Sequence, residues 1–406
     1  MRAHPDCPAI LVAFALLAVG LFPSNILAAG GGSESEALSE QAVELDQTGV
    51  YERAISAARK AMERAEANFG AENPDFAKAI LKLAGVHERQ GNYAEAESLY
   101  KRSLRINEKA LGPDHPDVAS ALDGLGMMFL GQGRYAEAEP LFQRSLRIRE
   151  RAVGPEHLKV AWSLNNLGGL YEKQQKYAAA EPLHKRALGI MEKELGPDHP
   201  GVATSLNNLG HAFHYQGNYS AAEPLYQRSL RIREKAFGPN HPAVANSLNS
   251  LAGLYGSQRN YAEAEPLYRR SLGIMEGLHG AGNRQVVLLL LNLGSLYETE
   301  GKFKEAEPLY KRALGIREKT PGPGQRDLAI PLDVLAQFYY GQGRYAEAEP
   351  LYKRSLMIKT AVLGPDHPDV ARSQTKLAEL FRAMGRDAEA EPLEQQADRI
   401  HAMKGG

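Results

Sequence analysis

The chain has 406 residues, with 48 Lys plus Arg set against 49 Asp plus Glu and a single cysteine. Charges that nearly cancel give no overall field that would draw the chain to nucleic acid or to an anionic membrane. Cys7 stands alone in a segment expected to be removed, which excludes a disulfide framework and a cysteine-ligated metal site in the mature protein.

Residues 1–29 have the three-part layout of a secretory signal peptide: Arg2 and His4 precede an apolar run, Ala9 to Phe22, and small residues close it at Ala28, Ala29 and Gly30. The run holds about 14 residues, short of the roughly 20 that a membrane-spanning helix needs. The expected product is an exported protein, periplasmic or secreted, cleaved after Ala28 or Ala29 and without a transmembrane segment. An uncleaved anchor is the alternative. Residues 30–33 read as a flexible lead.

From residue 34 to 402 one unit recurs every 42 residues. Its aromatic falls at Tyr51, Tyr93, Tyr135, Tyr177, Tyr219, Tyr261, Phe303 and Tyr345, and a glycine follows at Gly70, Gly112, Gly154, Gly196, Gly238, Gly280, Gly322 and Gly364. A register held this long marks stacked supersecondary units. Within one unit Val118, Ala119, Leu122, Leu125 and Phe129 form one helical stripe, and Ala138, Leu141, Phe142 and Leu146 form a second. The short Gly131-Gln132-Gly133-Arg134 connection between them predicts an antiparallel hairpin. The linker glycines suit a left-handed C-cap, the prolines after them stop the helix, and Asp114-His115-Pro116-Asp117 predicts an aspartate N-cap with proline in the first turn.

The order Leu164, Leu167-Gly168, Tyr171, then Ala180, repeated as Leu206, Leu209-Gly210, Phe213 and Ala222, resembles the tetratricopeptide repeat. That unit ordinarily has about 34 residues. The extra length here lies in the second helix and the GPDHPDV linker, and resembles the kinesin light chain type. The resemblance implies an all-α fold, a right-handed superhelical solenoid of about nine antiparallel helical hairpins, and a scaffold or adaptor that binds a protein or extended peptide. Small first-helix residues such as Gly126, Gly168 and Gly210 are expected to meet second-helix alanines such as Ala138, Ala180 and Ala222. The first and last units read as caps, with Gln41, Asp387 and Glu394 at normally apolar positions, and 403–406 as a tail. Thr320-Pro321-Gly322-Pro323-Gly324 and Pro331 weaken one helix start. Prolines in the second turn of the second helices (Pro140, Pro182, Pro224 and equivalents) predict either a kink or a later helix start.

The concave groove is expected on the first helices, at positions flanking the Leu-Gly pair. These are Trp162, Asn165, Asn166, Gly169 and Lys173; Thr204, Asn207, Asn208, His211 and Tyr215; Asn246, Asn249 and Ser250; and Asn292 and Ser295. An asparagine amide both donates and accepts, which suits holding a peptide main chain whatever its sequence. The resemblance assigns that role to Asn166, Asn208 and Asn292; the alternative is a set of solvated residues copied by duplication. Leu288, Leu291, Ile330, Val334 and Tyr340 at equivalent positions predict an apolar patch, unless the run Val286 to Leu291 simply buries more deeply. The ladder Arg102 to Arg354 beside Glu97 to Glu349 reads as a solvated face with ion pairs rather than an anion site. One histidine per linker spaces these rings too far apart to share a metal. His211 and His214 sit at i, i+3 without a third ligand, so a metal or an enzyme using His211, His214 and Tyr215 is the lesser reading. No nucleophile, base and orienter set occurs, and no cofactor or small-molecule substrate is expected.

Overall fold

The computed structural model describes residues 37–38, 41, 51–280, 282–319 and 327–404. The expected signal segment, the lead and the linker Thr320–Gly324 lie outside the described residues, as does most of the first half of the first unit.

Seventeen α-helices occur and no strand is found among the described residues. They are α1 (Tyr51–Phe69), α2 (Pro74–Arg89), α3 (Tyr93–Leu111), α4 (Pro116–Gly131), α5 (Tyr135–Val153), α6 (Leu158–Lys173), α7 (Tyr177–Leu195), α8 (Pro200–Tyr215), α9 (Tyr219–Phe237), α10 (Pro242–Ser257), α11 (Tyr261–His279), α12 (Arg284–Glu300), α13 (Phe303–Lys319), α14 (Ala329–Gly341), α15 (Tyr345–Leu363), α16 (Pro368–Ala383) and α17 (Asp387–Lys404). Even-numbered helices are the first, and odd-numbered helices the second, of each hairpin. The described chain forms two compact units, one ending at Ala236 and the other starting at Phe237. Within them the first helix packs on its own second helix and on the second helix before it, and successive first helices also touch, as α2 with α4, α4 with α6 and α6 with α8.

The apolar stripes fill each hairpin. Leu122, Leu125 and Phe129 of α4 and Ala138, Phe142 and Ile148 of α5 are buried, and enclosing a side chain such as Phe142 contributes about 1.5–3 kcal/mol. The small first-helix residue meets a ring, not the alanine anticipated. A Cβ on Gly126 would lie 2.8 Å from Phe142 Cε1, on Gly168 2.5 Å from His184 Cε1, and on Gly210 2.7 Å from Tyr226 Cε1. The ring four residues beyond the alanine reaches across the hairpin, so it sets the helix spacing.

Three local expectations are corrected. The N-cap is the histidine, not the aspartate before it: His115 is extended, with φ −75° and ψ 143°, and Pro116 opens α4. A residue before proline is confined to that extended region, which is the N-cap conformation. Gly154 has φ 87° but ψ 156°, a region essentially reserved for glycine rather than the left-handed helical cap. The second helices start at the aromatic and run through their prolines. Pro140 and Ala136, whose carbonyl loses its helical partner, are both exposed, so water can replace the missing bond. α14 has 13 residues where most first helices have 16, and Leu328 supplies no side-chain cap bond. At the end of the array Glu394 stands in the ring column and pairs with Arg382 at 2.7 Å.

The second-helix arginines are spent on the preceding repeat. Arg144 pairs with Glu108 at 2.7 Å and Arg186 with Glu150 at 2.6 Å, and both also donate to a linker carbonyl, of Pro113 and Pro155. The glutamate column takes the next repeat's tyrosine: Tyr171 donates to Glu139 at 3.0 Å and Tyr297 to Glu265 at 2.8 Å. These contacts fix the stacking register. The arginine pairs, open to solvent over about a third of each side chain, add little stability one by one.

Candidate binding face

α6 and α8 are adjacent first helices in the unit that ends at Ala236. Each starts on a histidine cap, packs its glycine on a ring and leaves one stripe on the far side. On that stripe Trp162 is 36% exposed. One turn later Asn166 is half-buried, and Thr204 and Asn208 occupy the equivalent places on α8.

The asparagines divide into two columns with different fates. Asn165 faces inward: its Oδ1 lies 2.9 Å from His184 Nδ1, and its Nδ2 donates to Ser205 Oγ at 3.2 Å. Asn207 lies 3.4 Å from His211 Nε2 through Nδ2, and its Oδ1 is buried without a hydrogen-bond partner among the described residues. The side chains of Asn166 and Asn208, each one residue further and so rotated by about 100°, make no hydrogen bond to another described residue. In the unit from Phe237 onward, Asn292 Nδ2 donates to Asn249 Oδ1 at 2.9 Å. That bond joins consecutive hairpins and occupies one donor of Asn292 and one acceptor lone pair of Asn249.

The expected apolar patch is smaller than the sequence suggests. Leu291 is fully enclosed and Val334 is 5% exposed, while Leu288 and Tyr340 are half-buried and Ile330 is 42% exposed. Leu291 occupies the inward column of Asn165, and an apolar side chain there sinks into the helix interface. Leu288, Val287, Leu291, Ile330 and Pro331 instead line a shallow hollow rimmed by Arg284, Arg317 and Asp327.

His211, His214 and Tyr215 form a ring stack. His214 lies flat on Tyr215 at 5.1 Å, Tyr215 on Tyr177 at 5.1 Å, and His211 meets Tyr226 edge-on at 5.6 Å. His214 is 5% exposed. Burial, together with the neighbouring His211, pushes it down to about 4. Burial likewise holds His211 and Lys173 low and pushes the Tyr215 hydroxyl up. Among the described residues no group of three His, Cys, Asp or Glu is arranged to hold a metal ion.

His184 is not among the residues that the sequence singles out. It occupies the column of Phe142 and Tyr226, is fully buried, and places Nε2 3.4 Å from Glu172 Oε1. Both atoms lie outside hydrogen-bond geometry and are otherwise unpartnered among the described residues. An imidazole in a column that is Phe or Tyr in every other unit between the two terminal ones, twelve residues after a glutamate, is the available signal.

The sequence profile of the tetratricopeptide repeat matches residues 75–151, 123–193, 159–235, 215–277, 244–319, 285–361 and 327–400. The chain belongs to the tetratricopeptide repeat family. No curated protein matches it. Among solved structures it is similar to a Rap protein complexed with competence and sporulation factor, at 14% identity and TM-score 0.57, over 91% of this chain and 98% of that one. It is similar to aspartyl phosphate phosphatase F from Bacillus subtilis at 12% identity and TM-score 0.51, over 92% and 96%. BtubC (BKLC) from P. vanneervenii matches at 23% identity and TM-score 0.46, over 58% and 92%. At these identities the likeness is one of fold.

Proposed function

We propose that this tetratricopeptide protein is an exported, non-enzymatic scaffold that holds an extended peptide or protein segment along the face of α6 and α8. The observation that carries the reading is the pair Asn166 and Asn208. Two half-exposed amides on touching first helices have donors and acceptors unspent on other described residues, whereas the neighbouring Asn165 is bonded through both its oxygen and its nitrogen. Such amides match the alternating N–H and C=O of an extended main chain. Trp162, one turn from Asn166, offers apolar area for one side chain of the ligand. A Rap protein of the same fold is known in complex with competence and sporulation factor.

Peptides selected from a random library on the wild-type protein should bind Asn166→Ala/Asn208→Ala about tenfold more weakly, since each lost hydrogen bond is worth about 0.5–1.5 kcal/mol. Methylating the peptide main-chain nitrogens should weaken binding to the wild type by a similar factor. Equal affinity for both proteins would move the site elsewhere. Export is supported by the apolar run Ala9 to Phe22 and the small residues after it. N-terminal sequencing of the mature protein should begin at Ala29 or Gly30, and a start at Met1 would refute cleavage.

A further inference from the structure

Five first helices start on a histidine that accepts a hydrogen bond. His115, His157, His199, His241 and His367 take the extended N-cap conformation. Their Nδ1 atoms accept from the N–H groups of Asp117, Lys159, Gly201, Ala243 and Asp369 at 3.0–3.1 Å. Nδ1 accepts only through its lone pair, so each bond requires the neutral ring with its hydrogen on Nε2. Two other first helices use an amide for the same task. Asn73 Oδ1 accepts from Asp75 N–H at 2.8 Å, and Asn283 Oδ1 from Gln285 N–H at 2.7 Å. The molecule therefore contains two kinds of N-cap, one abolished by a proton and one indifferent to it.

The charges around the rings separate the five. A protonated ring would point an N–H at the N–H it now accepts from, at the positive end of a helix dipole. The guanidinium groups of Arg144, Arg186, Arg228 and Arg270 donate to the carbonyls of Pro113, Pro155, Pro197 and Pro239, two residues before the caps. The carboxylates of Asp117 and Asp369 lie 3.9 Å from the Nδ1 atoms of His115 and His367 and can take up the new charge as an ion pair, though Lys78 and Arg372 share them. His157, His199 and His241 have Lys159, Gly201 and Ala243 at that position. The acids beside the first two, Glu156 and Asp198, already face Lys193 and Lys235, and His241 lies flat against Phe237 at 4.5 Å.

We propose that the histidine caps make the array acid-responsive: protonation releases the starts of α6, α8 and α10, while the asparagine-capped α2 and α12 stay closed. The starts of α4 and α16, with an aspartate beside the ring, respond less. The effect does not depend on what the α6–α8 face binds.

Hydrogen exchange of the full chain at pH 7.5 and 5.0, corrected for the pH dependence of the chemical step, tests this by mass spectrometry. Peptides covering 157–164, 199–206 and 241–248 should lose protection at pH 5.0 by about tenfold relative to peptides covering 73–80 and 283–290. Equal changes in the two sets would overturn the proposal. His157→Asn/His199→Asn/His241→Asn installs the cap already used at α2 and α12 and should keep its protection at pH 5.0. Loss of protection in that variant to the wild-type extent would place the acid response in other groups and also overturn it.

Discussion

Hairpins α2/α3 and α6/α7 meet the same packing demand with different chemistry. In the first, Tyr100 crosses to the opposite helix and donates to Glu88 Oε2 at 2.6 Å. In the second, His184 crosses to Glu172 but stops at 3.4 Å, and turns its other nitrogen to Asn165. Hairpin α12/α13 repeats the first solution, with Tyr310 donating to Glu298 at 2.7 Å. The inward first-helix residue changes in step. It is Leu81 or Leu291 where the pair is Glu with Tyr, and Asn165 where the pair is Glu with His. Three positions, seven and nineteen residues apart along the chain, thus behave as one unit, and a repeat is varied by exchanging the unit.

Hairpin α8/α9 holds a third version, His214 with Tyr226, and it gives the largest expected effect. His214 is nearly enclosed, and burial holds it at about 4 against an ordinary 6.5. The folded protein refuses a proton that the unfolded chain accepts. Its contribution is therefore complete above pH 6.5 and is lost as pH falls toward 4, by about 2–3 kcal/mol at pH 4.5. Urea unfolding of His214→Leu, which copies the Leu130 and Phe142 pair of α4/α5, should show a gap between pH 7.5 and pH 4.5 smaller by that amount. An unchanged gap would mean that His214 is protonated in the folded state without penalty. The acid response of the caps is common to both proteins and cancels in this comparison.

The stack was legible from the sequence because its determinants are single columns. Gly168 and Gly210 recur at a fixed spacing, and one residue type in one column suffices to place a helix pair. The candidate face was less legible because its determinants are relations between columns. Asn165 and Asn166 are chemically identical neighbours, yet the 100° step of the helix sends one to His184 and leaves the other half-exposed without a bond to another described residue. For Leu291 the sequence leaves open a surface patch or deeper burial; its inward-facing column decides for burial, and no count of apolar residues reveals that. His115 and its equivalents were assigned a local task at the helix start, but the cap was given to aspartate by residue preference. A proline after His115, His199, His241 and His367 imposes the extended conformation of a cap on the histidine, and His157 takes the same conformation before Leu158.

The smallest expected effect sharpens the comparison most, because it adds stability where substitutions usually remove it. Asn165→Leu/His184→Tyr/Ser205→Ala transplants Leu81, Tyr100 and Ala121 from α2/α3 and α4 into α6/α7 and α8. The tyrosine hydroxyl reaches a carboxylate that His184 leaves outside hydrogen-bond geometry, and glycine at 168 is smaller than the Ala84 of α2/α3. Tyr100 also lies against Gly124 of α4, where a Cβ would come within 2.5 Å of its ring, so Asn208, the equivalent residue of α8, has to shift; Tyr310 is fully buried with Val334 at that position. Leucine replaces an amide whose partners, the His184 ring and the Ser205 hydroxyl, are removed in the same step, so no buried polar atom is orphaned. The triple variant should gain about 1 kcal/mol over the wild type in urea unfolding at pH 7.5. Asn165→Leu alone should lose about 1–2 kcal/mol, because it strands His184 Nδ1 inside the hairpin. A triple variant no better than the sum of its single changes would show that the three positions vary independently, and that the Asn165, Glu172 and His184 set is three substitutions rather than one exchange.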